Sequence, residues 1–340
     1  MILVTGGTGF IGRELVRMLA AKNDSGFLVC LTHLGNVSPV ELSGRKVLEE
    51  LGLKTVEADL MTGQGLEPLR GVLWDTVFHL ASCTDTAQPD HSINEVGTRH
   101  LLSALGSLNA KTHLVYTSSI AVNDMRADYN TAINEDTPVP ARPCHEYGRK
   151  KLLTEQYLKQ EAKTQGFALS IIRVCGVYGD MVRKGGLFNS IEELVLKRSL
   201  MGRLDWPGKV GLIHVEDMAA FIERVSFKKP SPGNFELYIP AVEALSIAEM
   251  FEAVDKAYGL PYRPLEVPSP LWQLSCFFAR RKRHFESVLP HAVYNRFWQA
   301  CLLVNNEFYN KGRRIKEVLG TREPKRFSDY YHDKAQRAQR

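Results

Sequence analysis

The first twelve residues, MILVTGGTGFIG, constrain the fold more than any other stretch of this chain. Ile2, Leu3 and Val4 form an apolar run too short for a helix and closed by glycine, the signature of a strand buried on both faces. Gly6, Gly9 and Gly12 follow at three-residue spacing, and Ile11, Leu15 and Leu19 then mark one face of a helix. Strand, glycine turn and helix in that order build an anion site. Backbone N–H groups at the helix N-terminus face a pyrophosphate, and the glycines let it come close. Gly6 permits the tight turn, Gly9 leaves room for a ligand, and Gly12 lets the helix lie on its strand. The backbone from Gly6 and Gly9 through Phe10 and Ile11 to Gly12 is therefore the first candidate cradle. With a core strand beginning at residue 2, no signal peptide is expected.

The alternation continues. Strand-like runs at 27–31, 54–60, 75–82, 112–119 and 168–174 are separated by helical patterns at 39–51, 93–105 and 147–162. This predicts an α/β fold, a Rossmann-type doubly wound parallel sheet with ligands at the carboxyl ends of its strands. After residue 180 the alternation fails. The expected organisation is a dinucleotide-binding domain over 1–180, a smaller and mostly helical substrate lobe over 181–327, and a polar basic tail over 328–340 that does not pack. A chain of 340 residues is long enough for both units.

The net charge of +5 is modest and partly local, in Arg280, Arg281, Lys282 and Arg283 and again near the end of the chain. Without a recognised binding motif it points to no nucleic-acid partner. No apolar run approaches a membrane span. The six cysteines are scattered without paired spacing, so neither a disulfide framework nor a metal site is expected and the cytoplasm is the default location.

The end of the second strand sets cofactor preference in such sheets. A carboxylate there bonds the adenosine ribose and repels a 2′-phosphate, whereas a cation favours the phosphate. Thr32 and His33 stand at that end, with Arg13 just past the glycine turn and no acid in sight, so the lean is to NADP over NAD. The fifth strand ends in Thr117, Ser118 and Ser119. Tyr147 and Lys151 follow at a spacing that puts phenol and ammonium on one helix face. A phenol titrates near 10, and an adjacent cation favours its phenolate. Ser119 would hold a substrate oxygen while Tyr147 moves its proton. Tyr330 and Lys334 share the spacing but have no serine-bearing strand beside them.

These stretches, with EADL around Asp59 and Leu60, VFHLAS around His79 and Ala81, NEVGT with Asn94, NEDTPVP, RVCGVYG, HVEDMA and FYNKGRRIKEVLG, run nearly end to end. Together the chain resembles the extended short-chain dehydrogenase/reductase superfamily, in its NAD(P)-dependent epimerase/dehydratase-like branch. The resemblance implies that Asp59 contacts adenine with Leu60 beside it, that Ala81 and its neighbours line the cofactor channel, and that Lys151 also binds the nicotinamide ribose. It implies an oxidoreductase with a small-molecule substrate and a homodimer through the helices at 93–105 and 147–162. His79 reads more simply as a satisfied core histidine, Asn94 as a helix-face amide and Asp217 as a helix cap.

Two departures narrow the substrate. Val174 follows Arg173 where the family often has proline. WPGKVGLIHV offers Val210 and Gly211, with only Lys209 close, where nucleotide-sugar enzymes carry an arginine for the diphosphate, and a lysine cannot make the same bidentate grip. The outline of residues 264–304 is similar instead to the 3β-hydroxysteroid dehydrogenase and dihydroflavonol-reductase-like branch. The first expectation is therefore hydride transfer with a secondary alcohol or ketone of an apolar or ring-bearing metabolite. A nucleotide-sugar epimerase or dehydratase is the alternative, and a non-catalytic dinucleotide sensor the third reading. Trp272, Leu274, Phe277, Phe278, Trp298 and Leu302 surround the run RRKRH. They are expected to pack as a helical pair with the basic residues solvated, with a lipophilic pocket or a peripheral membrane contact as the functional reading.

Overall fold

The computed structural model describes residues 1–35, 37–106, 108–181 and 186–338. Strand β1 (Ile2–Thr5) enters helix α1 (Phe10–Ala20) through the glycine turn, and β2 (Leu28–His33), α2 (Pro39–Glu50), β3 (Lys54–Ala58), β4 (Thr76–His79) and α3 (Ile93–Leu105) follow. Then come β5 (His113–Ser119), α4 (Glu146–Gln165), β6 (Ala168–Val174) and the short β7 (Gly176–Tyr178). Every residue of β5 is buried, because helices cover the sheet on both sides. One layer packs α3 and α4 through Leu101, Leu102 and Leu158, the other α1 through Leu15, Val16 and Leu19.

Two glycines show why the turn closes. Gly6 sits at φ +73°, where a Cβ would lie 2.7 Å from the Ala81 nitrogen, and a Cβ on Gly12 would lie 2.0 Å from the Gly6 carbonyl oxygen. Neither position tolerates a side chain.

The main sheet runs β3-β2-β1-β4-β5-β6-β9, with β9 spanning Phe235–Tyr238, parallel throughout. This is the doubly wound order, with its switch point between β1 and β4. Its seventh strand corrects the expected domain boundary. After α5 (Leu187–Leu196), β8 (Lys209–His214) and α6 (Val215–Ser226), strand β9 (Phe235–Tyr238) returns to pair with β6, and α6 packs on α1. The unit built on the main sheet therefore draws on residues well past 180. The smaller unit holds a three-stranded sheet, β10-β8-β7, in which β10 (Glu243–Ser246) runs antiparallel to β8. Helices α7 (Ile247–Ala257), α8 (Ser269–Ala279), α9 (Arg283–Glu286), α10 (His291–Val304) and α11 (Ile315–Leu319) complete it.

The tail is also corrected. It forms α12 (Phe327–Ala338), whose Phe327, Tyr330, Tyr331 and Ala335 are buried at helical spacing against α7 and around Tyr178 and Phe188. Residues 339 and 340 lie outside the described residues. Asp217 is no cap either. His214 caps α6, while the buried Asp217 carboxylate accepts from Arg322 Nε at 2.6 Å and the Lys325 N–H at 2.8 Å, tying the chain end to this helix.

The helical pair packs differently from expectation as well. Trp298 is buried and Trp272 bonds Asp205, yet Leu271, Leu274, Phe277 and Phe278 of α8 stand exposed. Lys282, at the centre of the basic run, is fully buried between Asp124 (2.8 Å) and Glu307 (2.7 Å). Its neighbours Arg280, Arg281 and Arg283 are exposed.

Candidate active site

Two adjoining clefts open above the switch point. The first, about 370 Å³, is lined by Gly6, Gly9, Phe10, Ile11 and Gly12 of the turn, by Thr117, Ser118 and Ser119 of β5, and by Tyr147 and Lys151 of α4. Its apolar wall is Leu80, Val174 and Val177, with Cys175. Helix α1 starts after Gly9 with no side chain capping its first N–H groups, which leaves them available to an anion.

Helix α4 presents its pair because His145 caps it, the imidazole Nδ1 accepting the Tyr147 N–H at 3.1 Å. Gly148 then lets the helix approach the turn after β5, where a Cβ would lie 2.5 Å from the Ala121 carbonyl oxygen. Burial pushes the Tyr147 phenol up to about 12, and hydrogen bonds with Ser119 and Ser82 pull the other way. Burial also draws the Lys151 ammonium down to about 7, against the attraction of Glu155 one turn further on. Lys151 Nζ donates to the Thr117 carbonyl at 2.9 Å and lies 4.9 Å from the Tyr116 ring centre. The groups that oppose the rise at Tyr147 are thus hydroxyls rather than the lysine charge the spacing suggested. Beneath them Glu155 is fixed by Arg173, bidentate at 3.0 and 2.8 Å, and by Ser118 at 2.6 Å.

The second cleft, about 330 Å³, shares Gly6, Gly9, Leu80 and Ser82 with the first and reaches Thr32, His33, Leu60 and Ala81. Two expected cofactor contacts line neither cleft. Arg13 is buried, its guanidinium turned to the Gly9 carbonyl, Ser43 and Met181. Asp59 closes its own turn, accepting from the Met61 N–H at 2.8 Å and Thr62 Oγ1 at 2.9 Å.

A carboxylate that the strand ends did not reveal takes part instead. Glu41 of α2 lines the second cleft, accepts from Thr8 Oγ1 and from the His33 N–H, and lies 3.5 Å from Arg45. Arg45 is in turn held by Glu57 at 2.5 Å and bonded to the His33 carbonyl. Glu41 escaped the sequence reading because it stands eight residues past β2 and reaches back through the fold; its signal was the Ser38 cap and Pro39 that start α2 there.

Ser82 was missed too, although it closes the VFHLAS segment. Asn94 clamps that loop, accepting from Ser82 Oγ (3.0 Å) and the Cys83 N–H (2.8 Å) and donating to the Cys83 carbonyl (3.1 Å). It is more than a helix-face amide. His79 does sit in the core, its ring nitrogens bonded to Thr5 and Thr98 at 2.8 Å each, and burial pulls it down to about 3. Among the described residues no group of His, Cys, Asp and Glu could hold a metal ion, and no helix is long and apolar enough to cross a membrane.

Comparison with known proteins now adds the family. The model of the NAD dependent epimerase/dehydratase family matches residues 2–237. The chain belongs to this family. Its similarity to curated members is divided. It is 28% identical to a 3β-hydroxysteroid dehydrogenase/Δ5→4-isomerase of Mycobacterium tuberculosis over 330 residues, 90% of this chain and 82% of that one. It is 26% identical to the UDP-glucose 4-epimerase of Mycoplasma genitalium over 203 residues, 57% of each. Two curated relatives, this epimerase among them, are matched over only 57% and 50% of their own length. Among solved structures, the UDP-glucuronic acid 4-epimerase from Bacillus cereus, in complex with UDP-glucuronic acid and NAD, superposes with a TM-score of 0.71. It is 18% identical, with 99% of each chain covered. That likeness is one of fold.

Proposed function

We propose that the chain is an NAD-dependent oxidoreductase acting on a secondary alcohol or ketone. The proposal rests on one observation: Ser119, Tyr147 and Lys151 line the same cleft as the Gly6–Gly12 turn. The cleft suits a dinucleotide, since its floor is glycine where side chains would fill it and bare helix N–H groups where a pyrophosphate needs donors. A nicotinamide held there would supply hydride chemistry at the substrate carbon. Ser119 holds the substrate oxygen, and Tyr147 Oη gives or takes the proton on that oxygen. A buried phenol that titrates high is a suitable proton donor for carbonyl reduction. Alcohol oxidation requires that proton to leave, which the hydrogen bonds with Ser119 and Ser82 favour. Lys151, held by the Thr117 carbonyl, holds the ribose.

NAD is preferred to NADP. Of the two groups expected to welcome a 2′-phosphate, Arg13 is buried away from the cleft, and His33 lines it beside Glu41, which brings a carboxylate there. A carboxylate accepts from a ribose hydroxyl and repels a phosphate.

An apolar substrate is favoured over a nucleotide sugar. Its wall would be Leu80, Val174 and Val177. On β8, where a diphosphate-gripping arginine would stand, Gly211 has no room for any side chain: a Cβ would lie 2.0 Å from Asn310 Oδ1. The test follows nicotinamide absorbance against panels of sterols, phenolic ketones and nucleotide sugars, with wild type and Tyr147→Phe. Turnover of a sterol or ketone, lost in Tyr147→Phe with dinucleotide binding retained, is the expected result. Interconversion of a sugar with no net cofactor change would establish the epimerase reading instead.

A further inference from the structure

Among the described residues the outer face of α8 is left largely uncovered, with Phe278 meeting the Phe285 ring at 6.4 Å between centres. Leu271, Leu274, Phe277 and Phe278 are 53%, 52%, 46% and 43% exposed. At 100° per residue they fall within one arc of the helix, opposite Trp272, Cys276 and Ala279, which turn toward the lobe. Leu and Phe left in water on one continuous stripe mark an interaction surface rather than the scattered exposure common to all proteins.

The charge around the stripe states what covers it. From Glu266 to Val304 there are two acids: Glu266, exposed ahead of the helix, and Glu286, which is held by Arg149 at 2.6 Å and flanked by Arg142 at 3.8 Å. The exposed Arg280, Arg281 and Arg283 lead directly off the helix, and the Arg281 guanidinium stacks on Phe277 at 3.6 Å, the cation at the edge of the apolar stripe. The buried Lys282 is neutralised internally and fastens this corner to the body of the protein. An apolar stripe that runs into three exposed arginines, against one exposed acid ahead of the helix, is the pattern of a helix that lies in the headgroup region of an anionic bilayer. A protein partner of ordinary mixed charge would not require it.

We propose that α8 docks the protein on an anionic membrane surface, with Leu271, Leu274, Phe277 and Phe278 entering the acyl boundary and Arg280, Arg281 and Arg283 meeting the headgroups. The lobe that carries α8 also borders the catalytic cleft. Gln299 of α10 bonds Thr86 at 3.2 Å, and Thr84 lines the cleft. Docking would thus bring the substrate entrance near the bilayer, which suits a membrane-dissolved substrate. That corollary rests on the proposed activity; the docking itself does not.

The full-length protein is sedimented with vesicles of phosphatidylcholine alone and of phosphatidylcholine mixed with phosphatidylserine. Binding to the mixed vesicles, weaker binding to the neutral ones and release by salt are expected. Leu274→Ser/Phe278→Ser lowers the partition by about tenfold or more, and each of Arg281→Gln and Arg283→Gln by about fivefold. Dinucleotide binding and the melting curve serve as folding controls, since all four side chains are on the surface. The proposal is overturned if wild type ignores the mixed vesicles, or if it binds them and the Leu274→Ser/Phe278→Ser variant binds equally well. It is also overturned if light scattering shows a dimer that this double variant dissociates while vesicles are not bound, because a second copy of the chain then covers the stripe. Failure of all catalytic assays with vesicle binding intact would sink the activity and leave the docking standing.

Discussion

Replacing Lys282 by Met tests how the C-terminal lobe is fastened. The ammonium lies 2.8 Å from Asp124 and 2.7 Å from Glu307, and all three side chains are 0% exposed. At an effective dielectric constant near 20, each contact is a gross attraction of about 6 kcal/mol. Most of that offsets the desolvation of three charges, so the net contribution of the cluster is small. Its removal from one side is another matter. Methionine fills the space but leaves two carboxylates facing each other in the interior. A loss of about 3–5 kcal/mol follows. With an unfolding entropy of about 2.1 cal/mol/K per residue, a chain of 340 residues loses about 4–7 °C in Tm. The effect reaches the active site as well. Asp124 Oδ2 accepts the His145 N–H at 3.0 Å and Trp298 Nε1 at 3.0 Å, and His145 caps the helix that carries Tyr147. The assay is thermal unfolding at neutral pH, with Arg281→Gln as control, since Arg281 is exposed in the same basic run and changes stability by no more than about 0.5 kcal/mol. Adding Glu307→Gln to Lys282→Met recovers part of the loss. Equal melting temperatures for Lys282→Met and Arg281→Gln would refute the reasoning.

Other outcomes follow from the same coordinates. His79, His113 and His145 are drawn by burial down to about 3, 4 and 4. The unfolded chain binds these protons near pH 6.5 and the native one does not, so stability is intact above that pH. It falls below it by up to about 1.4 kcal/mol per pH unit per histidine until the native values are reached; urea midpoints between pH 7 and 4.5 measure it. Glu41→Gln is expected to raise affinity for NADPH by tenfold or more, in the range of about 1–3 kcal/mol for one unfavourable charge contact, while NADH binding changes less. Fluorescence titration reads both, and an unchanged ratio would remove Glu41 from cofactor choice. Tyr331→Ala deletes a buried aromatic from α12 and should cost about 3–5 kcal/mol; a neutral result in thermal unfolding would mean that the chain end does not pack as described.

What the sequence disclosed and what it hid divide along a physical line. β5 and α3 were legible to the residue or nearly so, because each carries its own periodicity and its own boundary, as Gly106 ends α3. The site residues supplied by turns and helix faces, from Gly6 to Gly12 and from Tyr147 to Lys151, converge on one cleft because the doubly wound order brings every strand end to one rim. α12 was hidden by composition. Its buried Phe327, Tyr330, Tyr331 and Ala335 are diluted by Ser, Asp, His, Lys, Gln and Arg on the other face, so an average over the segment reads as tail while its period reads as helix. β9 carries the local pattern of a strand, yet nothing local in FELY distinguishes an edge of the large sheet from a strand of the small one, so its partner was not legible.

Three charges find partners that the sequence did not show. Arg13 was placed in the site by position along the chain, Asp59 by the family resemblance, and Lys282 in solvent by its basic neighbours. Burial and partners decide each case differently. Arg13 finds the Gly9 carbonyl and Ser43, Asp59 finds two donors in its own turn, and Lys282 finds two carboxylates 158 and 25 residues away in sequence (282 − 124 and 307 − 282). A charged side chain goes where its desolvation is compensated, and compensation by distant segments is invisible until the topology is known. Glu41 is the converse, a carboxylate whose role depends on Thr8 and His33 arriving beside it. Apolar exposure obeys the same logic with the opposite sign. The stripe on α8 has the composition of a core helix, and no segment of the described chain comes to cover it. What it lacks in the fold is supplied by whatever this face meets, and the arginines bordering it select for an anionic surface.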